Sequence, residues 1–211
     1  MKTLFIEARK SGKINFSALK LPGRTISLAS TIQYLDFVPK ISNYLKKKGK
    51  KIIIKKGAKF PAHIIGCNPS AFDKKADALL LLADGKFHAL NNAILLDKEI
   101  YIFNLDSLEK ITKQEISRIK AKIKAKQSKF LLYNDIGIII STKPGQKYPH
   151  AFRLKEKLEK KGKKAYVFQA DTLNPQELEN FPIKIWINTA CPGIGIEQEN
   201  IINLRDIQDF L

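Results

Sequence analysis

Only two cysteines, Cys67 and Cys191, occur in 211 residues. That is too few for a disulfide framework and leaves core packing, metal ligation or catalysis as their use in a reducing compartment. The sequence has no Cys-x-x-Cys pair, no Gly-rich phosphate loop and no Ser-His-Asp order. Long apolar runs are missing as well: none approaches the ~20 residues of a membrane span. The N-terminus lacks a signal-peptide h-region, so a cytoplasmic protein with no membrane partner is expected. Acidic residues are outnumbered, 20 against 38 Lys and Arg, for a formal charge of +18 and a pI near 9.8. Arginine is scarce too, with five, and bidentate phosphate readout favours arginine over lysine. Lysine runs such as Lys46-Lys47-Lys48 and Lys160-Lys161-Gly162-Lys163-Lys164 sit where amphipathic helices close. A solvated lysine-rich surface is the ordinary reading, and a polyanion-binding face is the alternative.

What is present is β/α alternation. Thr3–Ile6 and Thr25–Ala29 read as strands, and Ile32–Lys48 carries one helical face (Leu35, Val38, Ile41, Tyr44, Leu45) that Gly49 stops. Pro39 kinks that helix or marks its true start. Lys50–Ile54 is a strand, then a loop leads to Cys67. Ala78–Ala83 is an apolar run of the kind buried on both faces of a parallel sheet. A short helix and the strand Ile100–Phe103 follow. Thr112-Lys113-Gln114-Glu115 is a capping box that opens a helix with Ile116, Ile119 and Ile123 on one face. Strands at Ile136–Ile140, Ala165–Phe168 and Ile183–Ile187 complete the pattern, with a helix from about Pro149 to Lys161 and a short one opened by Asn174-Pro175.

The halves repeat: strand, Ser-Thr, helix, Lys-Gly-Lys-Lys, strand, loop, cysteine. The second copy carries about eleven extra residues before its cysteine. Repeated β/α units predict two similar parallel-sheet α/β domains, residues 1–108 with Cys67 and 109–211 with Cys191. Each cysteine ends an apolar run and precedes a proline, Ile64-Ile65-Gly66-Cys67-Asn68-Pro69 and Ile185-Trp186-Ile187-Asn188-Thr189-Ala190-Cys191-Pro192. Thiols delivered to the C-terminal sheet edge lie where such folds place ligand crevices, so the two are expected to meet at one site.

Asp84-Gly85-Lys86-Phe87-His88 and Ser141-Thr142-Lys143-Pro144-Gly145-Gln146 also follow strands. Taken alone they are strand-turn-helix connections, with Asp84 as a cap, or anion-receiving helix starts. His63 and His150 lack partners at metal-ligand spacing and read as ordinary loop or core residues.

Ile65-Gly66-Cys67-Asn68, Leu82–His88, Ser141–Gln146 and Ala190-Cys191-Pro192 together resemble the archaeal diphthamide-synthesis iron–sulfur enzymes, 2-(3-amino-3-carboxypropyl)histidine synthase. The resemblance covers nearly the whole chain. It implies domains two and three of a pseudo-threefold, three-domain architecture, with Cys67 and Cys191 as two of three thiolate ligands of a [4Fe–4S] cluster. In that family the open iron engages S-adenosylmethionine, whose cleavage gives a 3-amino-3-carboxypropyl radical that adds to a histidine of translation elongation factor 2. The resemblance further implies that Asp84, Gly85, Lys86, Phe87, His88, Ser141, Thr142, Lys143, Gly145 and Gln146 line the S-adenosylmethionine pocket.

Two departures stand beside the match. The first domain with its cysteine has no counterpart, and Gly193 replaces the family's arginine after Ala-Cys-Pro. A split enzyme is therefore expected, with the third cysteine on a separate chain and a homo- or hetero-oligomeric assembly. The alternative is a non-catalytic scaffold or substrate-docking member.

Overall fold

The computed structural model describes Leu4 and residues 6–211. The expected strand at 3–6 falls partly on Thr3 and Phe5, which lie outside the described residues. The chain divides into two compact units, one running to Ser117 and the other from Arg118 to Leu211.

In the first unit, β1 (Thr25–Ser30) leads through a 3-10 turn at Ile32–Phe37 into α1 (Val38–Lys47). Pro39 sits in the first turn of α1, where its missing N–H costs nothing, so it starts the helix. Gly49 at φ +77° lets the chain reverse into β2 (Lys51–Ile53). A long connection then reaches β3 (Ala78–Leu82), followed by α2 (Phe87–Leu96), β4 (Ile100–Phe103) and β5 (Leu108–Ile111). The sheet order is β2-β1-β3-β4-β5, parallel except for the antiparallel edge pair β4–β5.

Every residue of β3 is buried because both faces of the sheet are covered. Leu80 and Leu82 pack with Ile41 and Leu45 of α1, and Leu79 and Leu81 with Ala89 and Ala93 of α2. That explains a strand written as continuous leucine instead of alternation.

The long helix α3 (Lys113–Leu132) opens with the expected capping box: the Thr112 hydroxyl accepts from the Glu115 N–H (3.2 Å), and the Glu115 carboxylate accepts from the Thr112 N–H (2.8 Å). The unit boundary falls inside this helix. Residues 109–117, assigned from sequence to the second domain, thus belong to the first, because β5 completes the first sheet and Ile116 packs in its core.

The second unit contains β6 (Asp135–Ser141), α4 (Ala151–Lys160), β7 (Lys164–Ala170), β8 (Ile185–Asn188), α5 (Pro192–Glu197) and β9 (Ile201–Asn203). Its sheet order, β7-β6-β8-β9, is all parallel and repeats the β2-β1-β3-β4 order of the first unit. The repeat read from sequence is therefore one of topology, with Ser30-Thr31 and Ser141-Thr142 at matching strand ends.

The cysteines do not occupy matching places. Ile64-Ile65 is not a strand: Cys67 lies in the irregular 54–77 connection, before β3, whereas Cys191 follows β8, the counterpart of β3. Ile64 is buried as filler beneath this loop and Ile65 is partly exposed, which gives an apolar dipeptide without a ladder. Among the described residues, no helix is long and apolar enough to cross a membrane.

Candidate functional site

Within the first unit, the Cys67 loop is held at the C-terminal edge of the sheet. His63 bridges Ser30 at the end of β1, and the Ile64 N–H donates to the Ser30 carbonyl (2.9 Å). The Asn92 amide of α2 donates to the Ile65 carbonyl (3.1 Å) and to its own-helix His88 carbonyl (2.7 Å). The ring of Phe87 lies on Gly66, where a Cβ would come within 2.9 Å of it, so glycine lets the loop seat against the start of α2. These contacts bring two sequence motifs together, 65–68 and 84–88. The Cys67 thiol is free and exposed.

The residues of 84–88 have distinct duties. The Asp84 carboxylate accepts from the Lys10 ammonium (2.9 Å), which also donates to the Tyr34 hydroxyl (2.7 Å). The Tyr34 hydroxyl and then Lys10 hold Asp84 below the ordinary carboxylate range, against the opposing effect of burial. Asp84 is therefore not a helix cap: Lys86 occupies the N-cap position of α2, without a side-chain bond to the backbone. Lys86 instead pairs with Glu109 and Glu115, each at 3.7 Å. Burial, and then the neighbouring His63, lower the pKa of His88, which favours a neutral imidazole at pH 7. His63 is buried, and among the described residues its Nδ1 has no hydrogen-bond partner. Sequence spacing gave no sign that His63, Asn92 and Lys10 would bear on the site, because each acts across a separation of more than 20 residues.

Within the second unit, the same edge carries Cys191. The β6–β8 register places Ile139 opposite Asn188, so the loops after both strands are neighbours. The Thr189 hydroxyl donates to the Ile139 carbonyl (2.7 Å). Cys191 is the N-cap residue of α5, with a free, partly exposed thiol. The Asn188 amide donates to the Cys191 carbonyl (2.9 Å) and to Asn203 Oδ1 (2.7 Å), while Asn188 Oδ1 accepts from the Ala190 N–H (3.0 Å). Asn188 and Asn203, both buried, thus fix the Cys191 turn.

In the neighbouring loop, the Ser141 hydroxyl accepts from the Lys143 N–H (3.1 Å), and the Thr142 hydroxyl donates to Asp171 (3.0 Å). The Gln146 N–H closes a turn on the Lys143 carbonyl (3.0 Å), with Gly145 at φ +78°. The side chains of Ser141 and Thr142 are therefore occupied in holding the loop, which leaves Lys143 exposed at its tip.

Among the described residues no three His, Cys, Asp or Glu gather as a metal-binding group. Each unit offers one thiol, a soft ligand suited to iron–sulfur or other thiophilic centres.

Two α/β units with the same parallel strand order, each presenting one free thiol at its C-terminal sheet edge, define a repeat-built α/β protein with a free thiol on a loop of each unit. The chain belongs to the diphthamide synthesis protein family, whose model matches residues 2–201. It is 26% identical over 196 residues to 2-(3-amino-3-carboxypropyl)histidine synthase of Pyrococcus horikoshii, covering 88% of this chain and 55% of that protein. Against the Methanocaldococcus jannaschii enzyme of the same name it is 30% identical over 199 residues, covering 92% and 49%. A crystal structure of Dph2 from Pyrococcus horikoshii with a 4Fe-4S cluster superposes with a TM-score of 0.77 at 24% identity, covering 89% of this chain and 57% of that one. The shared fold is thus shown over nearly the whole chain. The chain spans about half the length of the curated relatives it matches.

Proposed function

We propose that this chain acts in the first step of diphthamide synthesis, the transfer of a 3-amino-3-carboxypropyl group from S-adenosylmethionine to a histidine of translation elongation factor 2. The observation that carries this reading is the family match over residues 2–201, which includes both cysteines, each of them a free thiol. In this proposal 1–117 and 118–211 correspond to the second and third domains of the family, and Cys67 and Cys191 each supply a thiolate to a [4Fe–4S] cluster. A third thiolate comes from outside these 211 residues.

The cluster, when bound, would supply the electron that cleaves S-adenosylmethionine at an iron left without a protein ligand. The chain's own residues hold and enclose the substrate. Asp84 and Lys86 brace their loop through the pairs with Lys10, Glu109 and Glu115, Phe87 packs on Gly66 next to Cys67, and Gly85 and neutral His88 belong to the same loop and helix start. In the second unit Ser141 and Thr142 brace the loop that presents Lys143, Gly145 and Gln146. Exclusion of water from a radical is part of what the family's first domain must add.

Co-expression with a chain carrying a counterpart of the family's first domain, anaerobic purification and assay of transfer to elongation factor 2 test the proposal. Transfer by the mixture, abolished by Cys67→Ala or Cys191→Ala, is the expected result. Equal transfer by the isolated chain would remove the partner requirement. Absence of both transfer and cluster in the mixture would favour the scaffold reading, in line with Gly193 in place of the family's arginine.

A further inference from the structure

The second unit contains a buried lysine that the proposed function does not use. Lys126 of α3 is 3% exposed, and its Nζ donates to the carbonyls of Gly195 (2.5 Å) and Ile196 (3.5 Å). Those carbonyls belong to the end of α5, the helix that Cys191 caps at the other end. One turn further along α3, Lys129 donates to the Glu199 carbonyl (3.3 Å).

A six-residue helix that begins with Pro-Gly and includes a second glycine is too short to sustain itself. Its last carbonyls have no partners further along the helix and need donors from elsewhere. A cation at that end also complements the helix dipole. Burying a lysine is costly unless its donors are used, and here they are spent on the helix that presents a cysteine. Asn188 and Asn203 hold the Cys191 turn from the strand side, and Gly195 packs so closely on Asn203 that a Cβ would lie 2.5 Å from its Oδ1. The turn and the helix are therefore one rigid piece, fixed at both ends.

We propose that Lys126 is a positioning residue for the Cys191 thiol, supplying from α3 the hydrogen bonds that α5 cannot make for itself and so fixing the direction in which Cys191 points. This holds whatever group Cys191 binds, so it survives failure of the enzymatic reading. The surroundings of Lys126 add a signature. Burial, opposed by Asp206 and Glu199 and reinforced by Lys122 and Lys129, lowers its pKa from 10.5 to about 8. Opening α5 exposes the amine to water and restores the higher value. Between about pH 8 and 10.5 the open state therefore binds more protons than the closed one, and raising the pH favours the closed state.

The test uses the full chain with Cys67→Ser, so that Cys191 is the sole thiol. Hydrogen exchange over 192–198 and the rate of Cys191 alkylation by iodoacetamide are compared with and without Lys126→Met. Loss of the donor should speed exchange of 192–198 by about tenfold or more, shift the alkylation rate and leave β6 and β8 unchanged. With Lys126 present, protection of 192–198 should rise as pH passes above about 8, and with Lys126→Met that rise should vanish. Unchanged exchange and alkylation in a folded Lys126→Met protein would overturn the proposal. If that variant does not fold, the pH profile of the Lys126 protein decides alone: flat protection across the window overturns it.

Discussion

Gly137 shows how much can rest on the absence of one side chain. It pairs with Trp186 across β6 and β8, and a Cβ there would lie 2.1 Å from the indole ring, which is fully buried. Gly137→Ala must displace the indole from its place against Phe168 and Phe181, a change expected to cost about 1–3 kcal/mol of stability. Denaturant unfolding of the variant measures it, and an unchanged midpoint would show that the Trp186 pocket yields. In the sequence this glycine was only one letter of a strand. The cysteines were legible as site candidates because residue type limits what a lone thiol can do. His63, Asn92 and Lys126 were not, since their roles come from contacts that no local spacing encodes.

Elements with strong local signals were readable. Periodicity and a terminal glycine located α1 and α4, and the capping box located the start of α3 within a residue. Thr112→Ala removes the hydroxyl that accepts from the Glu115 N–H and should cost about 1 kcal/mol, measurable by chemical denaturation. No loss would mean that tertiary packing alone holds the helix start. Elements with weak signals were missed. β5 is four residues with charges at Glu109 and Lys110, and it exists because β4 offers an edge; β9 is three residues against β8. Conversely, Ile64-Ile65 has strand composition but no ladder, because burial of Ile64 in a loop satisfies the same hydrophobic demand.

For the chain as a whole, the two units repeat one strand order, yet the thiols reach C-terminal sheet edges by different routes: Cys191 directly after β8, and Cys67 on an irregular loop held by Ser30 and Asn92. The sequence conveyed two α/β units through its recurring Ser-Thr and Lys-Gly-Lys-Lys segments, but the division falls in α3, where an unbroken helix conceals it. The lysine excess is largely solvent-facing, with Lys46 and Lys47 in the last turn of α1 and Lys157 and Lys160 in that of α4, where they complement helix dipoles. The decisive question is whether Cys67 and Cys191 hold one cluster together. Anaerobic reconstitution with a third thiolate supplied by a counterpart of the family's first domain, followed by iron counting and Mössbauer spectroscopy of the parent and of each single Cys→Ala variant, answers it. About four irons per assembly are expected in the parent, with loading lost or made labile in both variants. Full loading that neither substitution disturbs would show that these thiols are not its ligands.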